Sequence, residues 1–260
     1  MNLPRRVKPA VSHAVKSIWL NKGDESMSDE QRKVHPRAAL DGELMDLKEE
    51  LIRLGDQVES AVARAMTALK DRDQVLAQEV IADDLKINAR RYEIEEKSLS
   101  IIATQQPAAG DLRAIVAVMN MVSDLERMGD HAAGIATLVT RMESMSGLEM
   151  PTGLATMSKM ARDMLREALN AYAEHDVQAG YAIAGIDDEI DTSYTNLFRD
   201  LVKVIIKKPD TTSVALYYLF AGHNLERIAD RVTNLAERVI FMGSGQVQEL
   251  NPEPDETGFN

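Results

Sequence analysis

Two carboxylates four residues apart, Glu126 and Asp130, recur as Glu226 and Asp230 one hundred residues further along the chain. On a helix that spacing sets two negative charges side by side, at a cost of about 0.2–0.5 kcal/mol. A pattern that is mildly unfavourable and yet doubled calls for a compensating partner, and a cation is the simplest one. Two further pairs at the same spacing, Asp84 with Asn88 and Asp187 with Asp191, stand at matching distances ahead of Pro107 and Pro209. Antiparallel neighbouring helices could bring one pair of each kind together, assembling three or four oxygen donors. Hard oxygen ligands of this sort suit Mg²⁺, Mn²⁺ or iron. The alternative is purely electrostatic: Arg127 and Arg227, inside the two motifs, neutralise the acids in a surface salt-bridge lattice.

Catalytic apparatus is missing from the sequence. A di-iron carboxylate oxidase would need Glu-x-x-His on two helices, but the third residue after Glu126 is Gly129 and the third after Glu226 is Ala229. His223, three residues before Glu226, could give a nitrogen to a metal; its counterpart is Ser123, and an ordinary hydrogen bond accounts for it equally well. His131 follows Asp130 directly and so points about 100° away from it. There is no Gly-rich phosphate loop, no His-Glu-x-x-His and no cysteine to act as nucleophile or thiolate ligand. The sequence therefore reads as a binding or regulatory protein and not as an enzyme, with a metal-dependent enzyme or a metal-free helical scaffold as the other readings.

Bulk properties narrow the partners. A formal charge of −12 opposes binding to phosphate backbones, so no nucleic acid partner is expected. Mean hydropathy is −0.24 and no uncharged apolar run reaches the roughly 18 residues of a membrane span, which allows at most peripheral membrane association. The first 22 residues carry Arg5, Arg6, Lys8, Lys16 and Lys22, with no acid before Asp24. Their one apolar candidate, Val11 to Leu20, is broken by His13 and Lys16 and does not read as a secretory signal. Residues 1–34 are predicted to be a disordered extension, with Ile18 and Trp19 able to touch an anionic lipid surface. The absence of cysteine suits a reducing cytoplasm.

The elements that must position the acids are helices. Aromatics make up only 4% of the chain, and Ala, Leu, Met, Glu and Arg are abundant. Leu40, Leu44, Leu47, Leu51, Leu54, Val58, Val62, Ala65 and Leu69 keep the alternating 3-and-4 spacing of a long bundle helix. Asp71 and Asp73 offer caps for a second helix, patterned by Leu76, Val80, Leu85, Ile87, Ile94 and Leu99 and stopped by Gln106-Pro107. The third carries Ala114, Val118, Met121, Leu125, Met128, Ala132, Ile135 and Val139, and each of these has an apolar counterpart one hundred residues on, from Val214 to Val239. The spacing predicts further helices near 152–174, 176–207 and 211–242. The fold class is therefore all-α, as two tandem, sequence-related three-helix bundles, 35–147 and 148–243, each burying its own core. An acidic tail over 244–260 is predicted to be disordered.

Three separated segments carry a family resemblance: Gln106-Pro107-Ala108-Ala109-Gly110-Asp111-Leu112-Arg113, Asp124-Leu125-Glu126-Arg127-Met128-Gly129-Asp130-His131 and Asn224-Leu225-Glu226-Arg227-Ile228-Ala229-Asp230. Together they resemble the PhoU family of bacterial phosphate-signalling proteins, over about residues 35–242. The resemblance implies two three-helix bundles, often in a homodimer, with metal bound through Glu/Asp-x-x-x-Asp motifs. It further implies a cytoplasmic adaptor between the ATP-binding subunit of the phosphate ABC transporter and a sensor histidine kinase, holding the phosphate-starvation response off. Carried over position by position, the metal candidates are Asp84, Glu126 and Asp130, then Asp187, Asp191, Glu226 and Asp230. Asn88 departs from the acidic form, which weakens the first site relative to the second.

Overall fold

A computed structural model describes residues 36–142, 145 and 147–250, and every regular element among them is helical. The predicted extension 1–34 and the end of the tail, 251–260, lie outside the described residues. Helix α1 runs over Pro36–Asp71, α2 over Gln74–Gln105 and α3 over Ala109–Arg141. The second half follows with α4 at Thr152–Glu174, α5 at Val177–Lys207, a 3-10 turn at Pro209–Thr211, and α6 at Thr212–Ser244.

The helix ends repeat as closely as the motifs do. Asp73 caps α2 by accepting from the N–H groups of Val75 and Leu76, and Asp176 caps α5 by accepting from Gln178 and Ala179. The residue before each cap, Arg72 and His175, takes a left-handed conformation (φ 53° and 55°), turning the chain sharply into the next helix. Arg72 also reaches across to the carbonyl oxygens of Met145 and Leu148, and the Tyr218 hydroxyl donates to the same Leu148 carbonyl at 3.1 Å. These bonds anchor the connection between the halves, which has few backbone partners of its own.

The α1 stripe is buried as its spacing predicts, with Leu51, Leu54 and Val58 fully enclosed. Helix α2 departs from expectation. Leu85 and Leu99 are 73% and 56% exposed, and the buried row is instead Ala77, Val80, Ile87, Ile94, Ser98 and Ile101. That row keeps the 3-and-4 rhythm only if Asp84 and Arg91 fill its gaps, so an acid and a base occupy positions that face inward. In α5 the equivalent row is Ile183, Ile190, Leu197 and Leu201, with Asp187 and Tyr194 in the gaps.

The two halves also do not keep separate cores. A single apolar cluster runs from Leu40 through Val239, because α3 and α6 pack against each other at the centre with α1 and α2 on one side and α4 and α5 on the other. The central pair is antiparallel: Asp124 accepts from Arg231 at 3.4 Å and Asn234 at 3.1 Å, while Asn224 lies 3.0 Å from the His131 ring. These contacts are one contact seen twice about a pseudo-two-fold axis, since Asn224 is the repeat of Asp124, and Arg231 that of His131. Helices α1 and α4 approach closely at Gly55, where any added Cβ would strike the Leu169 side chain. The start of the tail is ordered against this body, with the Leu250 N–H on Glu237 at 2.9 Å and the Tyr181 hydroxyl on Gln248 at 2.8 Å.

Candidate functional site

Each half places its acids where the middle helix meets the last. In the first half, Asp84 on α2 lies within electrostatic reach of Glu126 and Asp130 on α3. Burial, followed by repulsion from Asp130 and then Glu126, pushes the Asp84 carboxyl up to about 6. One of its oxygens, Oδ2, accepts from Asn88 at 3.1 Å. The other, Oδ1, is buried without a hydrogen-bond partner, above the bare Cα of Gly129, where a Cβ would stand 3.2 Å away. Glycine at 129 thus leaves room for an inward-facing carboxylate. Glu126 is held differently: Arg91 donates to it at 3.3 Å while donating to Glu95 at 2.8 Å. Asp130 is exposed.

The second half repeats the plan with different neighbours. Asp187 is fully buried, and Asp191, one turn on, is exposed. Burial raises the Asp191 carboxyl, with Asp230 and Asp188 adding to it. Asp230 is raised by burial first; Arg227 works against the rise and Glu226 supports it. Glu226 lies 2.7 Å from the His223 ring nitrogen, and that ring leans on Tyr194 with centroids 6.2 Å apart. His223 is therefore the hydrogen-bond partner of a candidate ligand.

Among the described residues, no group of three or more Asp, Glu or His converges at metal-ligand range. The physical reason is visible in the partners: Arg91 draws Glu126 aside, His223 draws Glu226 aside, and unneutralised carboxylates repel one another. The donor set nevertheless fits a hard cation. A buried acceptor with no protein donor, pressed by two further acids, is one that a proton, a water or a metal ion can satisfy. The salt-bridge lattice proposed for Arg127 and Arg227 is realised only in part. Arg227 sits 3.5 Å from Asp230, but the partner of Glu126 is Arg91 and not Arg127. Sequence reading missed Arg91 and its repeat Tyr194. Both could have been found as the non-apolar members of an otherwise apolar row.

Comparison with known proteins agrees with this duplicated architecture. The family model described as "PhoU domain" matches residues 51–139 and again 154–239, one copy in each half. A protein of Clostridium acetobutylicum named phosphate-specific transport system accessory protein PhoU homolog is 32% identical over 216 residues, covering 83% of this chain and 99% of the relative. The homolog from Caulobacter vibrioides strain NA1000 is 37% identical over 207 residues, covering 78% and 89%. Among solved structures, PhoU from Pseudomonas aeruginosa matches with a TM-score of 0.76 at 34% identity, over 80% of this chain and all of that one. The regulatory protein PhoU from Streptococcus pneumoniae matches with the same score at 32% identity, over 81% and 100%. With both copies of the domain in place and relatives matched over nearly their whole length, the chain belongs to the PhoU family.

Proposed function

We propose that this protein is a regulator of phosphate homeostasis, a negative regulator of the phosphate-starvation response that works by contact and not by turnover. The observation that carries the reading is coverage: the chain spans 99% of a relative named as an accessory protein of the phosphate-specific transport system, and the two segments that match the family model contain both acidic motifs. Its partners in this reading are the ATP-binding subunit of the phosphate ABC transporter and a sensor histidine kinase, in the cytoplasm, with the protein acting as a homodimer. No helix among the described residues is long and apolar enough to cross a membrane, which agrees with an adaptor that reaches the transporter through its soluble subunit.

Asp84, Glu126 and Asp130 would hold one cation, and Asp187, Asp191, Glu226 and Asp230 another, of the Mg²⁺, Mn²⁺ or iron class. Such an ion would supply positive charge that pulls the acids of two helices together. The chain's own residues do the rest. Gly129 leaves space for Asp84, Asn88 fixes one Asp84 oxygen, and Arg91 or His223 releases its glutamate when that glutamate turns inward. Ordering the α2–α3 and α5–α6 seams this way would stabilise one presentation of the surrounding helix faces.

A metal-free scaffold is the second reading, favoured by the Arg91–Glu126 and His223–Glu226 pairs. Metal analysis of purified protein separates the two. Deletion of the gene is expected to derepress alkaline phosphatase in high phosphate; an unchanged level would count against the regulatory assignment. Pull-down with the ATP-binding subunit, with and without chelator, tests the contact and its dependence on metal.

A further inference from the structure

The acidic chain holds one conspicuously basic recess. Where α3 crosses α6, a cleft of about 500 Å³ is lined by Arg91 from α2, Arg127 from α3, and Arg227 and Arg231 from α6. Ser123 and His131 complete the polar wall, and Glu126 and Asp130 are the acids within it. Four guanidinium groups and two carboxylates line it, and three further acids stand against its arginines from outside the lining: Glu95 on Arg91, Asp124 on Arg231 and Asp230 on Arg227. Like charges repel, so arginines from three helices do not converge without something to hold them there.

Their existing partners are too few to do so. No described residue pairs with Arg127 through a hydrogen bond or ion pair, and the Arg231 Nε is buried with no acceptor. The bonds from Arg231 to Asp124 (3.4 Å) and from Arg227 to Asp230 (3.5 Å) are long for charge-assisted contacts. Only Arg91 is well occupied, by Glu95 at 2.8 Å. Each guanidinium carries five N–H donors in a planar fork, so most of the donor capacity in the cleft is unspent. A single carboxylate offers two coplanar oxygens and one charge, enough for one fork. The forks with donors to spare arrive from two helices, α3 and α6, and match an acceptor whose oxygens point in several directions, as those of a phosphoryl group do.

We propose that the α3–α6 cleft binds a dianionic phosphoryl group through Arg127, Arg227 and Arg231. The group is either inorganic phosphate or the terminal phosphate of a nucleotide. The site lies at the α3–α6 crossing, and its wall includes Glu126 and Asp130 of the first carboxylate cluster. Arg127 and Arg227, repeats of one another, clamp the anion from the two halves.

The test is isothermal titration calorimetry on the full chain stripped of metal by chelating resin, with inorganic phosphate, ATP and, at matched ionic strength, sodium chloride as titrants. Saturable binding of phosphate or ATP, but not of chloride, is expected, and whichever binds identifies the source of the phosphoryl group. Binding should weaken at least roughly tenfold in the Arg127→Gln/Arg227→Gln double variant, while Arg53→Gln, an exposed arginine paired with Glu49, leaves it unchanged. Both substituted side chains reach solvent, so the fold should persist. Should the double variant not fold, Arg127→Lys/Arg227→Lys, which keeps the charge but not the fork, is expected to give weaker binding than the wild type. Absence of saturable heat from both phosphate and ATP, or equal affinity in the wild type and the substituted proteins, overturns the proposal. Neither outcome bears on the alkaline phosphatase response of a deletion strain, so the two readings fail separately.

Discussion

Replacing Asp84 with asparagine should make the metal-free protein more stable at neutral pH. The wild-type carboxyl is raised from 3.8 to about 6 in the folded chain, by burial first and then by Asp130 and Glu126. A group whose folded value lies above its unfolded one supports the fold fully below the unfolded value and loses that support as pH rises through the folded one. At pH 7.5 ionised Asp84 therefore costs stability. At about 1.36 kcal/mol per pH unit the ceiling is about 3 kcal/mol. Asp84 is only partly buried, and solvent screening reduces this to about 1–2 kcal/mol. Asparagine keeps the shape and the bond to Asn88 while removing the charge. For a chain of this size, about 1 kcal/mol moves Tm by about 2–4 °C, so Asp84→Asn should melt about 2–8 °C higher by circular dichroism in chelator-treated buffer at pH 7.5. The gain should shrink as pH falls through about 6 and vanish below about 3, where the wild-type group is protonated in both states. An equal or lower Tm at pH 7.5 would show that the inward carboxylate is not under electrostatic strain, and the argument from its orphaned oxygen would fall with it.

Other expectations follow from the same contacts. Under the metal reading, millimolar manganese raises the wild-type Tm by more than that of Asp84→Asn, which keeps only the second cluster; a melt insensitive to manganese in both proteins refutes that reading. Removing the competitor for Glu126 with Arg91→Met should tighten manganese binding at the first site by calorimetry, and an unchanged affinity would mean that the ion pair is not in competition. Asp124→Ala strips Arg231 and Asn234 of their shared acceptor and should cost about 1–3 kcal/mol in urea denaturation. Asp124→Asn, the residue that stands at the repeated position 224, should cost less; equal losses would show that the seam does not rest on that acceptor. Asp73→Ala and Asp176→Ala each remove a cap with two N–H contacts and should cost about 1 kcal/mol apiece by the same measurement.

The helices and their pairing were legible because two different periodicities agree. The 3-and-4 apolar rhythm marks α1, α3 and α6 without ambiguity, and the hundred-residue repeat fixes which helix answers to which. Helix α2 misled where apolar residues fall on two rows at once. Leu85, Tyr92 and Leu99 offer a plausible inner face, and the true inner row is diluted by Asp84, Arg91 and Ser98. Counting apolar residues selects the wrong row in such a helix, although a charged residue in phase with Val80, Ile87 and Ile94 is itself a signal of function. The shared core was not legible at all. Duplication says that two units exist, but whether they pack or stand apart depends on the α3–α6 seam. That seam uses small and polar residues such as Gly134, Asn224 and His131, which periodicity does not register.

The seam also explains why the two halves need not be equal in use. At the repeated positions, Arg91 faces Glu126 where Tyr194 stands near Glu226; Ser123 is replaced by His223, and Asn88 by Asp191. The first half thus answers its glutamate with a permanent charge and offers three acids, while the second answers with an imidazole ring and offers four. A cation entering the first cluster must displace a guanidinium that stays charged at any physiological pH. At the second it has only to draw Glu226 away from a single imidazole contact. If both clusters bind metal, the second should fill at lower concentration. A manganese titration in Asp84→Asn and in Asp187→Asn, each leaving the other cluster intact, separates the two. Equal affinity in the two variants would mean that the neighbours which distinguish the halves have no bearing on what the carboxylates hold.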